Sequence, residues 1–330
     1  YHSGFKQGAT IVPRNFWFVD IKPHSKFGFN PQSPYVETSE ASEKTAKENY
    51  KGISFKGNIE KDFLYATLLS TDIVPFGYLN FRIVVLPVIN PKCHPELVLG
   101  SKEMPKQVRH DTFDTGYSII KESEAGKKGY IHLSKWLHKA QKTWEEKRGE
   151  KAKGMDVVDW LDYRHKLTEQ GQTKYKVLYP TSATYLCGCV VERKAIKIEI
   201  EGQEFELQGF VAESKEYYFE TEKKVEVFYL CSILNSPTVD ELIKPMQSRG
   251  LFGPRDIHKK VWELPIPKFD PSNQAHIALS ELGEECTHKV SKFLSKDIPQ
   301  KSIGNLRKLI KTEFEKEIKE VDEIVREILK

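Results

Sequence analysis

The stretch FYLCSILNSPTVDELIKPMQSRGLFGPRDIHKKVWELPIPKF, Phe228 to Phe269, passes through three kinds of structure, and the rest of the chain is read outward from it. FYLCSILN is apolar almost without interruption, which predicts a buried helix from Glu226 to Asn235. Asn235 ends it. Ser236-Pro237 opens the next helix, with a hydroxyl to cap the first turn and a proline where the backbone N–H has no partner to lose. Gln247 to Lys260 then reads as a cationic loop, in which Gly250 and Gly253 allow positive φ or a close backbone approach. WELPIP reads as a short strand, with Pro265 and Pro267 stiffening the exit and LPIP as buried scaffold.

Two long helices are expected beyond this stretch. Asn273 to Leu294 places Leu279, Leu282, Cys286, Val290 and Phe293 on one stripe. From Ser302 to the end, Leu306, Ile310, Phe314, Ile318, Val321, Val325 and Ile328 form another. Before it, YKVLYP, ATYLCGCVV and AIKIEIEGQEFELQGFVA read as strands, the last folded into a hairpin at Glu-Gly-Gln. His132 to Arg148 has Leu133, Trp136, Leu137, Ala140 and Trp144 at helical spacing, and a second amphipathic helix is expected from Met155 to about Glu169. The chain up to about Ser118 is strand and loop in character, ATIVPRNFWFVDI and NFRIVVLPVI being strand runs that Pro13 and Pro87 mark as edges or bulges. The expected fold class is therefore α/β: a twisted mixed β-sheet with packed helices and a C-terminal helical pair. Residues 1–270 would form one domain with a helical insertion near 132–170, and 271–330 a C-terminal helical segment.

A chain of 330 residues with 39% apolar residues has enough sequence for sizeable cores. Its longest apolar run, Ile83 to Ile89, is far short of the roughly 20 residues a membrane helix needs. Five scattered cysteines argue against a disulfide framework and for a reducing, cytoplasmic compartment. The first residue is Tyr1, and sequence that forms elements begins at once, so the chain is expected to be part of a longer one. The net charge of +4 is unevenly spread. Glu199 to Glu226 carries nine acidic residues against three lysines, whereas Lys244 to Lys260 carries five basic residues against Asp256, and Lys121 to Lys153 ten against five. Such a molecule attracts a polyanion on one side and repels it on another.

Catalytic patterns are scarce. Cys187-Gly-Cys189 lies in an apolar run without a CxxC or a His pair, so both cysteines read as core residues. His24, His94, His110 and His258 are dispersed and read as loop or surface groups. FGFNP, Phe27 to Pro31, and GLFG lack the spacing and context of a phosphate-binding turn, and Val191-Glu-Arg-Lys194 lacks the preceding Asp of a nuclease motif.

YKVLYPTSATYL and the stretch from Phe228 to Phe269 resemble the C-terminal target-recognition region of large N6-adenine-specific DNA methyltransferases, especially the fused restriction-modification enzymes called type IIG. QGATIVPRNFWFV is similar to the start of that region, just after the methyltransferase domain. The helix ending ILNSP, the LPIP segment and the helix after it are more loosely similar to recognition domains of type I specificity subunits. The resemblance implies a module that binds duplex DNA and positions a methyltransferase domain of the same polypeptide. The S-adenosylmethionine loop and the Asn-Pro-Pro-Tyr motif of that domain are absent here, since Asn30-Pro31-Gln-Ser-Pro34-Tyr35 has the wrong spacing. No cofactor is therefore expected in this chain and no methylation by it alone; whether the parent enzyme also cleaves DNA is left open.

Base readout needs paired donors, as Arg, Asn and Gln supply them, beside Lys, Ser, Thr and backbone groups for phosphates. Gln247, Ser248, Arg249, Arg255, His258, Lys259 and Lys260 form the first candidate set. Arg14 and Asn15 form the second, and Thr181, Ser182, Thr184 and Tyr185 the third. The basic helix around Lys135, Lys139, Lys142, Lys147 and Arg148 reads as solvated, with phosphate contact as its other use. The rival reading of the whole chain is a protein-interaction or oligomerisation module that uses the C-terminal helices.

Overall fold

Residues 1–23, 28–89, 116–193, 196–250, 253–296 and 302–330 are described by the computed structural model of the chain, with Arg249, Gly250 and Pro254 described through their backbone alone. His24, Phe27, His94, His110 and Lys194, considered above, lie outside the described residues.

The N-terminal part runs β1 (Lys6–Gln7), α1 (Arg14–Trp17), β2 (Phe18–Ile21), β3 (Tyr35–Thr38), α2 (Glu40–Lys44), β4 (Lys56–Asn58), β5 (Leu64–Thr67) and β6 (Arg82–Val85). All but β1 among these strands form one antiparallel sheet of order β4-β3-β2-β6-β5, in which Val19 lies opposite Thr38 on one side and Ile83 on the other. The run expected as a strand from Ala9 to Ile21 instead makes a helical turn first. Pro13, which has no N–H to give to a ladder, occupies the N-cap of α1, and extended structure resumes at Phe18. Pro87 interrupts the NFRIVVLPVI run as expected, between β6 and the short strand Val88–Ile89.

The middle holds α3 (Glu122–Lys127), α4 (Ile131–Lys147) and α5 (Val157–Leu161). The predicted stripe of α4 is buried, and the Trp136 indole donates to the Phe16 carbonyl at 3.0 Å, which fixes the helix over the first sheet. The helix expected to reach Glu169 stops after Leu161. The Asp162 carboxylate accepts the N–H groups of Leu167 and Thr168 and the Thr168 hydroxyl, and Arg164 and His165 adopt left-handed φ values of 60° and 57°.

The second half contains β7 (Tyr175–Pro180), β8 (Cys189–Glu192), β9 (Ile196–Ile200), β10 (Gln203–Leu207) and β11 (Glu216–Thr221). A second antiparallel sheet has the order β1-β11-β7-β8, and β9–β10 stand apart as the expected hairpin, turning through Glu201 and Gly202 at φ 49° and 76°. Every residue of β7 is buried because the strand lies between two cores: Tyr175, Val177 and Tyr179 face one and Leu178 the other. Parallel pairing among the described residues is confined to the single bridges Ala9–Glu213 and Ala66–Phe210.

Helices α6 (Lys224–Asn235), α7 (Pro237–Ile243), α8 (Gln274–Leu294), α9 (Ile303–Glu313) and α10 (Glu315–Ile328) build the second core. Ser236 caps α7 as predicted, and Asn273, the expected start of its helix, caps α8. The α/β architecture with packed helices and a C-terminal helical pair is thus present. Three further expectations fail locally. Residues 183–188 are not a strand, because side chains satisfy their backbone: Asn235 exchanges hydrogen bonds with Gly188, and Asp240 accepts from the Leu186 N–H. WELPIP is a single 3-10 turn, Lys260–Glu263, followed by ladder-free chain whose Pro265 and Pro267 have no donors. Val261 and Trp262 are its buried part, while Leu264 and Ile266 are half-buried and Pro265 is exposed.

The last helix breaks at Phe314 (φ −111°). Apolar residues every four positions drift about 40° per step around a helix of 3.6 residues per turn, so a straight helix would carry Ile318 off the seam. The break re-aims α10, and Leu306, Ile310, Ile318, Val321 and Val325 are all buried within the chain. The interaction-module reading required that stripe to face a partner; it is already covered by the molecule's own core.

Candidate nucleic-acid interface

Two of the three candidate sets meet. The chain leaving β7 zips against the stem of the 247–260 loop: Ile257 and His258 both donate their N–H to the Thr181 carbonyl, Ala183 N–H donates to the Arg255 carbonyl, and Ser182 bridges Asp256. The stem is anchored from beneath. Ile257 and Val261 are fully buried, Trp262 stacks on Phe5 with centroids 4.0 Å apart, and the Tyr179 hydroxyl donates to the His258 carbonyl while accepting from the Trp262 indole. Further out, Arg249–Gly250 pairs with Gly253–Pro254, and Gly253 has φ 83°, a value that favours glycine.

The side chains divide. Ser182, Thr184, Tyr185, Ser248, Arg255 and His258 are exposed. Thr181 and Gln247 are buried, each 5% exposed, so they support the surface rather than form it; the Gln247 amide has no hydrogen-bond partner at either end. Asp256 gathers much of the loop's polar capacity, accepting from Ser248 Oγ at 3.3 Å and Lys260 Nζ at 2.6 Å and pairing with His258 Nε2 at 2.8 Å. The Lys260 hydrogen bond, opposed by partial burial and helped by the nearby His258, holds the Asp256 carboxyl below its ordinary range. Lys259 ties the loop to the N-terminus, its Nζ donating to the His2 carbonyl at 2.9 Å. The Arg249 side chain lies outside the described atoms.

Between this loop and α9 runs a groove of about 410 Å³, bordered by Ser182, Thr184, Tyr185 and Arg255 on one side and by Gly304, Asn305 and Lys308 on the other. Two ammonium groups lie over the Tyr185 ring, Lys311 at 4.9 Å and Lys244 at 5.5 Å. Arg307, beneath the groove, is buried and donates to the Ile73 and Ser70 carbonyls, so it holds α9 in place. Sequence reasoning missed α9 as a wall. Its signal was Lys308 and Lys311 at helical spacing, away from the Leu306–Ile310 stripe.

Arg14 and Asn15 line a different pocket, of about 670 Å³. Arg14 pairs with the buried Glu213 at 3.6 Å. Asn15, expected as a reading residue, is an internal brace: it is 1% exposed, and its amide hydrogens go to the Tyr50 and Ile53 carbonyls at 2.8 and 2.9 Å. On α4, Lys139 packs over Phe55 at 4.6 Å, and just past its end the Arg148 guanidinium donates to the Met155 carbonyl, so neither is merely solvated. Cys187 and Cys189 are fully buried, as expected of core residues, and burial pushes both thiols up. Among the described residues, no group of three or more His, Cys, Asp or Glu side chains is placed to hold a metal, and no helix is long and apolar enough to cross a membrane.

No family model and no curated relative matches the sequence. The fold does have a counterpart among solved structures. It is similar to a restriction-modification enzyme seen in complex with DNA, with a TM-score of 0.51 and 9% sequence identity over 98% of this chain. That protein is the Type IIL enzyme MmeI, and the present chain spans about a third of its length, 32%. At this identity the likeness concerns the fold alone, which is similar to that of part of a restriction-modification enzyme.

Proposed function

We propose that this chain is the DNA target-recognition module of a restriction-modification N6-adenine DNA methyltransferase. It binds duplex DNA through the loop from Gln247 to Lys260, the segment from Ser182 to Tyr185 and the α9 wall. The observation that carries this reading is a fold likeness, spanning nearly the whole chain, to part of an enzyme captured with DNA. The convergence of Arg255, Lys308 and Lys311 around one groove supports it, because phosphate contact supplies most of the affinity of such modules. In this reading a methyltransferase domain of the same polypeptide holds S-adenosylmethionine and receives the flipped adenine, while the present chain supplies register and orientation.

Fluorescence anisotropy with a labelled random-sequence duplex tests the proposal. A module gripping about four phosphates loses about a hundredfold in affinity over a fourfold rise in salt. Absent or salt-independent binding overturns it.

A further inference from the structure

The pocket at Arg14 and Asn15 lies outside the groove just assigned to duplex DNA, and its lining has a chemistry of its own. Its volume of about 670 Å³ sits inside the range of small-ligand sites, roughly 300–1,000 Å³. Its base is aromatic: Tyr50 and Trp144 stack nearly parallel at 6.4 Å, and Trp160 packs on Trp144 at 5.6 Å. Trp160 is half-exposed while the other two are buried, so it is the ring available to a ligand.

The rim is cationic. Lys47, Lys147, Lys151 and Lys215 border the pocket with exposed side chains, and among the described residues none of the four forms an ion pair. The two carboxylates beside them are engaged. Glu150 pairs with Lys153 at 3.7 Å, and Glu213 accepts from Ser214 Oγ and the Lys215 N–H while pairing with Arg14. In the wall, Asn15 Oδ1 is buried and has no donor. Both amide hydrogens point to backbone carbonyls, so the orientation of that amide is fixed. An accessible ring and an uncompensated cationic rim match, in turn, a planar base and a phosphate.

We propose that this pocket binds a single nucleotide unit, its base against Trp160 and its phosphate on the lysine rim. The nucleotide comes either from a bound duplex, as an everted residue, or from solution as a free mononucleotide. The assignment does not require that the 247–260 loop binds DNA.

Adenosine monophosphate, followed by calorimetry, is the probe for the free source. Anisotropy comparing a duplex carrying one unpaired adenosine with its fully paired counterpart is the probe for the everted source. Both are repeated with Trp160→Ala and with the double variant Lys147→Glu/Lys151→Glu, whose exposed lysines leave folding intact, as circular dichroism checks. Binding of the monophosphate that weakens about tenfold in both variants supports the free source, since one stacked base and one phosphate contact are each worth about that factor. A preference of about tenfold for the unpaired adenosine that both variants abolish supports the everted source. If neither probe binds with that preference, or if both variants leave the binding unchanged, the proposal is overturned. Failure of paired duplex to bind while the monophosphate still does would sink the DNA reading and leave this one standing.

Discussion

Ser248, His258 and Lys260 are three donors that the loop could turn toward a phosphate, and all three converge on the carboxylate of Asp256. Replacing it by Asn keeps the shape and removes the anion. Asp256→Asn should therefore raise affinity for a random duplex about three- to tenfold at low salt, because one repelling charge is lost and Lys260 is released, with the gain shrinking as salt screens it. Anisotropy measures it; unchanged or weaker binding would show that Asp256 positions the loop for DNA rather than restraining it. Glu216 is a second residue whose surroundings set its charge. Burial, reinforced by Glu213 and opposed by Arg14, holds its carboxyl well above the ordinary range, and its Oε1 has no partner. An acid whose folded value is raised binds its proton more tightly in the folded state. It therefore costs nothing below its unfolded value and loses stability as pH climbs from there toward the folded value. Glu216→Gln, which mimics the protonated form, should melt higher than the parent at about pH 8 and close to it at about pH 4; equal shifts at both would refute the assignment.

Helices α6 and α8 cross at Gly283, where an added Cβ would fall inside contact distance of the Phe228 carbonyl and of Ser232 Oγ, and Ser232 itself donates to the Leu279 carbonyl at 2.6 Å. Alanine at a helix interior normally gains about 1 kcal/mol over glycine, but forced overpacking of a rigid backbone contact costs about 1–3 kcal/mol. The second term should prevail, so Gly283→Ala lowers the urea midpoint without altering the slope of the transition. The helix starts at Ser236 and Asn273 were legible because a cap is a property of three or four neighbouring residues. The β9–β10 hairpin was legible for the same reason, from its alternation and its Glu-Gly turn. Residues 183–188 were not, since what replaces their ladder is Asn235 and Asp240, about fifty residues further along the chain. The early end of α5 depended on the reach of Asp162 to Thr168, and the break at Phe314 on where the second core lies. In the candidate site the cluster of polar and cationic residues from Gln247 to Lys260 was visible in the sequence. Which of them face outward was not, because Thr181, Gln247 and Asn15 are buried by tertiary packing that their polarity does not announce.

At the scale of the whole molecule, the +4 charge says little, whereas its placement does. The hairpin β9–β10 carries Glu199, Glu201, Glu204 and Glu206, whereas the groove has Arg255 and Lys308 in its lining and Lys311 over the ring of Tyr185. In the proposed reading, a duplex drawn to the cationic edge is repelled by the hairpin, which limits the orientations in which it docks. If α9 is a wall of that site, its lysines grip phosphates without reading bases, and their removal should weaken all sequences alike. Lys308→Glu/Lys311→Glu should therefore lower affinity for specific and random duplexes by the same factor and reduce the slope of log K against log salt by about 2, one for each lost contact. Lys319→Glu on α10 provides the control. Its ammonium is paired with Glu315 at 2.9 Å and lies neither in the groove lining nor, as Lys311 does, over the Tyr185 ring, so that variant should leave the slope unchanged. Equal slopes for the parent and the α9 variant would remove α9 from the interface and confine DNA contact to the loops.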